Sequence, residues 1–279
     1  MNIETKRNKL TKKQIIKLII LVLIVAIISL LIYGNYTFEV NNYTIKSSRL
    51  PESFDGFKIL QISDLHNDEY GDDNERLIKA IRDEEPDIIV ITGDYIDRNQ
   101  TDVDVAIKLS ETLVDIAPCY YIRGNHELRV KASDSSEYER LISSMKDIGV
   151  NVLIDEEAVL TRNGESISLV GYDDVYNSDV AVTCDYKIAL NHYPENSQDI
   201  AEAGFDVIFS GHAHGGLIRL PFIGGIYAPG QGMFPEYDSG TYSIEDTTLV
   251  VSRGIGNSGR TLRLFNRPEL VTVTLKCEN

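Results

Sequence analysis

Thiols and histidines are scarce in this 279-residue chain, and each scarcity excludes something. The three cysteines, Cys119, Cys184 and Cys277, are odd in number, far apart and form no Cys-x-x-Cys pair. That rules out a disulfide framework and a thiolate zinc site; the thiols read as small buried hydrophobes. Positive charge is also short outside one segment. Residues 1–17 carry Lys6, Arg7, Lys9, Lys12, Lys13 and Lys17 against Glu4, so a net charge of -16 leaves about -21 on the remainder. So acidic a body lacks the basic track that a nucleic-acid groove needs, and no nucleic-acid partner is expected. A phosphate-bearing substrate would need local positive charge there, which bound divalent cations supply. There is no internal repeat and no low-complexity tract. The glycine-rich stretch 224–232 is not followed by Gly-Lys-Ser/Thr, so it is not a phosphate-binding P-loop. It reads as a surface loop edging a site, with Tyr227, Phe234 and Tyr237 either as an apolar lip or as ordinary packing.

Long hydrophobic runs are limited to one. Ile15 to Tyr33 holds a single charge, Lys17. As a helix it spans about 28 Å, close to the roughly 30 Å hydrocarbon thickness of a bilayer. No small-x-small cleavage site follows at Leu31-Ile32-Tyr33-Gly34-Asn35, which argues against a removed signal peptide. Six Lys/Arg precede or begin the run and only Lys46 and Arg49 follow closely. The positive-inside rule then leaves residues 1–14 in the cytoplasm, 15–33 as a single transmembrane anchor, and the body outside. Residues 34–50 alternate loosely and read as a stalk or first strand before a domain spanning 51–279.

Within that domain, apolar strand patterns at 58–63, 87–92, 119–122, 150–154, 167–171, 187–191, 206–210, 247–252 and 270–275 alternate with helical patterns at 74–85, 102–116, 135–148 and 194–203. Such alternation predicts an α/β layered fold. Five of the strands end in chemically loaded blocks: Asp64-Leu65-His66, Gly93-Asp94, Gly124-Asn125-His126-Glu127, Asn191-His192 and Gly211-His212-Ala213-His214. All five histidines of the chain fall inside these blocks. Ligands in α/β sheets gather outside the carboxyl ends of strands, so the blocks are expected to meet on one edge. Imidazole with carboxylate or amide oxygen, and no thiolate, suits Mn, Fe, Zn or Co better than Ca or Mg. The two imidazoles of Gly-His-x-His face either one ion or two. Asp94, alone after its glycine, is the candidate to bridge a metal pair, and two such ions suit in-line phosphoryl displacement.

In order and type, the five blocks resemble the calcineurin-like metallophosphoesterase superfamily, over about residues 51–279. Finer texture resembles its bacterial membrane-anchored, YkuE-like branch: Ile62-Ser63-Asp64-Leu65-His66, Pro86 to Asp94, Arg219-Leu220-Pro221-Phe222 and Arg263 to Glu269. The resemblance implies a four-layer α/β/β/α sandwich of two mixed sheets. It also implies two divalent ions, Mn foremost, the first held by Asp64, His66 and His214, the second by Asn125, His192 and His212, with Asp94 between them. His126 would not ligate but would sit over the leaving group, either as general acid or to stabilise charge on the phosphate. Asn67 and Asp68 follow Asp-x-His where relatives often carry glycine, and Leu217 replaces a polar residue, so the wall beside the first ion departs from the pattern.

The implied activity is hydrolysis of a phosphodiester or pyrophosphate bond by a metal-bridging hydroxide. The substrate is expected to be a phosphorylated small molecule, membrane lipid or cell-envelope precursor. Two alternatives stand beside it: a catalytically silent metal-binding scaffold of the same fold, and a UDP-sugar-lipid pyrophosphatase with a cytoplasmic body. A single-zinc peptidase or β-lactamase lacks its His-Glu-x-x-His or His-x-His-x-Asp-His pattern. Arg123 either clamps a phosphate oxygen or forms a salt bridge. Arg219, Arg260 and Arg263 either line the cleft or pair with carboxylates.

Overall fold

The apolar run forms the first helix, α1 (Lys12–Tyr36), in a computed structural model that describes residues 10–258 and 263–278. Residues 1–9, which hold Lys6, Arg7 and Lys9, and Arg260 lie outside the described residues. Thr11 starts α1: its hydroxyl accepts the Gln14 N–H while the Gln14 amide oxygen accepts the Thr11 N–H, the reciprocal pairing that satisfies free N-terminal donors. Almost every side chain of α1 is exposed, and among the described residues it is the one helix long and apolar enough to cross a membrane. The helix outlasts the apolar run by three residues at each end.

The body then follows as β1 (Glu39–Ser47), β2 (Lys58–Ile62), α2 (Glu75–Glu84), β3 (Ile88–Thr92), α3 (Val103–Leu113), β4 (Cys119–Ile122), α4 (Asn125–Ser133), α5 (Ser135–Ile148) and β5 (Asn151–Val152). Its second part is β6 (Glu156–Arg162), β7 (Glu165–Gly171), β8 (Lys187–Leu190), α6 (Ser197–Glu202) and β9 (Val207–Ser210). Four two-residue pieces come next: β10 (Arg219–Leu220), β11 (Gly224–Gly225), β12 (Tyr227–Ala228) and β13 (Gly232–Met233). The chain closes with β14 (Gly240–Ile244), β15 (Thr247–Val251) and β16 (Glu269–Cys277).

Two six-stranded mixed sheets result, in the orders β1-β16-β2-β3-β4-β5 and β14-β15-β9-β8-β7-β6. In the first, β2 to β5 run parallel and β16 is antiparallel to β2. In the second, β7, β8, β9 and β15 run parallel, flanked by antiparallel edges. Central strands such as Ile88–Thr92 and Val207–Ser210 are buried at every position, which is why they read as unbroken apolar runs. Side chains alternate between layers with period two. Ile59 and Val90 meet Ile188, Leu190 and Phe209 between the sheets. Leu60, Ile62, Ile89 and Ile91 point the other way, onto Leu77, Ile81, Leu109, Leu141 and Met145 of the helices. Val170, Ala189 and Ile208 cover the outer face of the second sheet against Ile200 and Phe205. The layers are therefore α/β/β/α, as the resemblance implies.

Of the two readings of residues 34–50, the structure holds a strand. β1 pairs with β16 over nine residues in parallel register, so the layered body includes residues on both sides of residue 51. Besides the two-residue strands β10 to β13, three elements were not foreseen. β6 and β14 are largely exposed edge strands, and helix α4, Asn-His-Glu-Leu-Arg-Val-Lys-Ala-Ser, has too few apolar positions to show a helical period.

Candidate metal centre

The five blocks converge where β2, β3 and β4 of one sheet and β8 and β9 of the other present their carboxyl ends to the same edge. The turns that bring them there are tight. Asp64 (φ 53°), His66 (φ 49°), Asp94 (φ 49°), His212 (φ 63°) and His214 (φ 47°) all adopt left-handed backbone conformations. Non-glycine residues in sparsely populated conformations cost about 1–3 kcal/mol each and persist where their surroundings over-determine them. Here adjacent loops zip together. Asp64 N–H donates to Gly93 O (3.0 Å) and His66 N–H to Asp94 O (3.1 Å). Gly211 lets the end of β9 touch that of β2, since a Cβ there would run into the Ser63 and Asp64 side chains.

Glu127, fully buried at the third position of α4, organises the middle of the edge. Its carboxylate accepts the N–H groups of Gly124 (2.7 Å), Asp94 (2.9 Å), Tyr95 (2.7 Å) and Ile96 (3.1 Å). Asp94 is thereby aimed at the amino end of α4, where Oδ1 accepts His126 N–H at 2.7 Å.

Three overlapping groups of side chains have ligating atoms within 4.8 Å of one another: Asp64, His66 and His214; His66, Asp94 and His126; Asp94, His192 and His212. His66 Nε2 lies 3.1 Å from His214 Nε2, and His212 Nδ1 lies 3.2 Å from His192 Nε2. Asp64 Oδ1 is 3.4 Å from His214 Nε2, and Asp94 Oδ2 is 3.3 Å from His192 Nε2 and 3.8 Å from His66 Nε2. All these side chains are buried. Asn125 is half-buried beside them, with Oδ1 itself shielded and without a hydrogen-bond partner.

The electrostatics favour positive charge at this point. Burial would lower His192, but Asp94 and Asp64 together hold it up at about 10. Burial pushes the Asp64 carboxyl up to about 6. It would raise Asp94 too, yet the surrounding His192, His66 and His126 keep that carboxyl well below its usual range. Desolvation takes His66 down to about 4 and His212 down to about 3, so each ring is neutral at neutral pH and has one nitrogen lone pair to offer. Close-set imidazole nitrogens, buried carboxylates and an orphaned amide oxygen are costly arrangements unless a cation satisfies them. The donor set of nitrogen and oxygen fits two divalent transition ions, one in each outer group.

Other predicted contacts resolve differently. Arg123 donates from Nε and Nη2 to the Asp173 carboxylate and from Nη1 to the Tyr138 hydroxyl, so the salt bridge is the reading that holds. Arg219 pairs with Asp238 at 3.0 Å. Arg263 neither lines the cleft nor meets a carboxylate. It is fully buried behind the site, donating to Arg253 O, Gly256 O and Asn257 Oδ1, with Nη2 3.2 Å from His214 Nδ1. Sequence reasoning missed Asp97, whose carboxylate lies 3.8 Å from His66 Nδ1 and 3.9 Å from His126 Nδ1. Its spacing of three from Asp94 was the available signal. The role of Glu127 was also missed, for want of α4. The open cleft over the edge measures about 430 Å³, and Arg98, Arg129, Tyr193, Pro229 and Gly230 form its outer wall. Tyr227 and Phe234 are exposed but do not line the cleft, whereas Tyr237 packs on Tyr242.

Residues 57–216 match the family model for calcineurin-like phosphoesterases. The chain is similar to the metallophosphoesterase YkuE of Bacillus subtilis, at 32% identity over 258 residues covering 86% of each chain. It is similar to the phosphodiesterase YaeI of Escherichia coli, at 27% identity over 78% of this chain and 82% of that one. A third relative is the UDP-2,3-diacylglucosamine pyrophosphatase LpxG of Chlamydia trachomatis, at 27% identity over 79% and 85%. With that match laid over a sandwich fold and a double cluster of metal-ligating side chains, the chain belongs to the calcineurin-like metallophosphoesterases and is a metal-dependent phosphoric ester hydrolase.

Proposed function

We propose that this hydrolase cleaves a phosphodiester or pyrophosphate bond in a membrane lipid or cell-envelope substrate, using two divalent ions. The observation that carries the reading is the pair of buried donor groups sharing one edge, Asp64, His66 and His214 on one side and Asp94, His192 and His212 on the other. Asn125 would join the second group, its buried Oδ1 otherwise unpartnered, and Asp94 would serve both ions. Manganese is the expected metal, with iron, zinc or cobalt also fitting the donors. When bound, the ions supply Lewis acidity toward the phosphoryl oxygens and a water acidic enough to be a nucleophile near neutral pH.

The chain's own contribution to the leaving group is His126. Arg98 N–H donates to its Nδ1 at 3.1 Å, which keeps the ring proton on Nε2. His126 and the site-facing part of Asp94 share the wall of the cleft. His126 therefore turns an Nε2–H donor toward the departing oxygen and stabilises the charge that develops there. His126→Ala should retain the metals and slow cleavage of alkyl esters by about 10²–10⁴-fold. Esters of p-nitrophenol, whose leaving group needs little protonation, should lose far less. An equal loss on both would overturn this role.

Helix α1 supports a single-pass membrane protein of the YkuE-like branch, and the basic charge ahead of α1 supports an extracytoplasmic body. The printed activities of the relatives, a phosphodiesterase and a nucleotide-sugar-lipid pyrophosphatase, support the bond class. The second of these also favours an alternative in which the substrate is a UDP-sugar lipid and the body is cytoplasmic. The deciding experiment strips the full chain of metal in detergent and titrates Mn²⁺, following bis-p-nitrophenyl phosphate and p-nitrophenyl phosphate side by side. Diester cleavage restored at about two ions per chain is the expected result. Preference for the monoester would overturn the bond class, and failure to bind metal would sink the reading.

A further inference from the structure

We infer that residues 218–234, together with Phe265, form a lipid-contact surface that seats the mouth of the cleft on the bilayer. The inference rests on reading α1 as membrane-spanning. Among the described residues beyond Tyr36, ten large hydrophobic side chains are exposed, and eight of them lie in this segment or at Phe265; the other two are Val159 and Val175. Phe222 is as open as a side chain in a free peptide (108%), and Ile223, Met233, Phe234 and Phe265 are 58–64% exposed. Contiguous apolar exposure of this kind marks a contact surface rather than the scattered exposure of an ordinary exterior.

What covers it follows from where it sits. Helix α1 runs into the body with only Thr37 and Phe38 before β1, so no linker holds the body away from the membrane. The end of α1 is clasped to the segment behind the cleft. Asn35 Oδ1 accepts Arg263 N–H (2.8 Å), Asn35 Nδ2 donates to Arg263 O (2.9 Å), and the Arg267 guanidinium lies 4.6 Å over the Tyr33 ring. The next residue, Leu264, bridges to Ile218 and accepts Arg219 N–H at 3.0 Å. Residues 218–234 thus continue directly from the membrane end of α1, and at Pro229 and Gly230 they reach the cleft wall. Their one charged residue, Arg219, is paired with Asp238. The contact is therefore apolar, suited to the acyl boundary and neutral headgroups, where aromatic side chains settle readily. A phosphoryl group at headgroup level would then reach the cleft without leaving the bilayer.

The chain contains no tryptophan, so one introduced indole reports its own surroundings. The full chain would be reconstituted into phosphatidylcholine vesicles with brominated acyl chains, which quench a buried indole on contact. Three variants are compared: Leu23→Trp in the middle of α1, Phe222→Trp, and Val159→Trp on β6, the sheet edge opposite β14. Activity on the soluble diester in detergent checks that each variant is folded. The expected result is strong quenching and a blue shift for Leu23→Trp and Phe222→Trp, with Val159→Trp unchanged. If Leu23→Trp is quenched but Phe222→Trp behaves like Val159→Trp, the lipid-contact surface is wrong while the anchor stands. A blue shift of Phe222→Trp that is indifferent to bromine and grows with protein density would replace lipid with a second copy of the chain. If Leu23→Trp itself escapes quenching, the membrane-spanning reading fails, and the inference with it.

Discussion

The two halves of the metal edge are built from different parts of the chain. The half around Asp94, Asn125, His192 and His212 is a local product of the sheets. Its backing is Glu127, on the helix that begins at Asn125, and Thr92 O, 2.8 Å from His192 Nδ1 at the end of β3. A carbonyl there takes the Nδ1 proton and leaves Nε2 directed at the site. The half around Asp64, His66 and His214 has all three members in left-handed conformations and leans on the distant C-terminal segment. Ile255 N–H donates to Ser63 O and Gly256 N–H to Asp64 O, both at 2.8 Å. Gly256 has to be glycine, because a Cβ would collide with the Leu65 backbone. Behind His214 stands a guanidinium instead of a carbonyl, and Asn266 holds the His214 carbonyl at 2.7 Å. One half is held by the sheets themselves; the other also leans on residues 253–257 and 263–266.

Removing the group common to both halves should erase the difference. Asp94→Asn is expected to empty both ions and to cost more than the roughly 100-fold typical of a residue one step behind a metal. Metal content by elemental analysis and kcat on the diester check it together. Two ions and an ordinary rate in this variant would refute the shared role.

A matched pair of substitutions should then separate the halves. Glu127→Gln puts an amide donor against four backbone donors, an arrangement that leaves groups unpaired at about 1–3 kcal/mol each. Arg263→Met strands the Arg253 and Gly256 carbonyls and Asn257 Oδ1 to a similar extent. Each is expected to weaken one ion by about 10–100-fold and the other much less, the smaller effect in Glu127→Gln arising through the shared Asp94. Calorimetric Mn²⁺ titration reads this as a split between the two binding steps. Loss of both ions in both variants would mean that the halves are not independent.

The legible part of this molecule was the part that sequence periodicity and residue type determine. Unbroken apolar runs at 88–92 and 207–210, each closed by glycine with Asp or His, placed the blocks at strand ends, and right-handed parallel connections bring such ends to one edge. The supporting groups were not legible, because their roles are tertiary. Glu127 looked like the last letter of a motif, yet it ties four backbone donors together through a helix whose sequence has little amphipathic period. Arg263 read as a cleft-lining or carboxylate-paired cation. Nothing local signals that a guanidinium near the C-terminus is buried among carbonyls contributed from residues 253–257.

The half that leans on the C-terminal segment should also answer to pH. Burial pushes the Asp68 carboxyl up to about 6, against the opposing pull of the Asn257 N–H that it accepts at 2.7 Å. A raised carboxyl means that the folded chain holds this proton more tightly than the unfolded one. Its contribution is fully present below about pH 4 and is lost as pH climbs through about 6. For a partly exposed group the loss is about 1–2 kcal/mol. Melting of the metal-free chain should therefore show Asp68→Asn level with the parent near pH 4 and more stable above pH 6. A constant gap across that range would assign the effect to packing.

The smallest expected effect tests whether the membrane helix takes part in the comparison. Asn35 sits on the last turn of α1, and its side chain makes both hydrogen bonds to the Arg263 backbone. Arg263 in turn stands 3.2 Å from His214. If Arg263 and its neighbours hold the first half in place, then Asn35→Ala, which removes two bonds of about 0.5–1.5 kcal/mol each, should weaken one Mn²⁺ step a few-fold. The other step should be unchanged, in the same titration on the full chain. Since α1 docks on this segment and not on β3 or α4, a change confined to the step that Arg263→Met also weakens would tie the anchor to that half alone. A change in the step governed by Glu127 would break the division, because nothing in α1 touches that side of the edge among the described contacts.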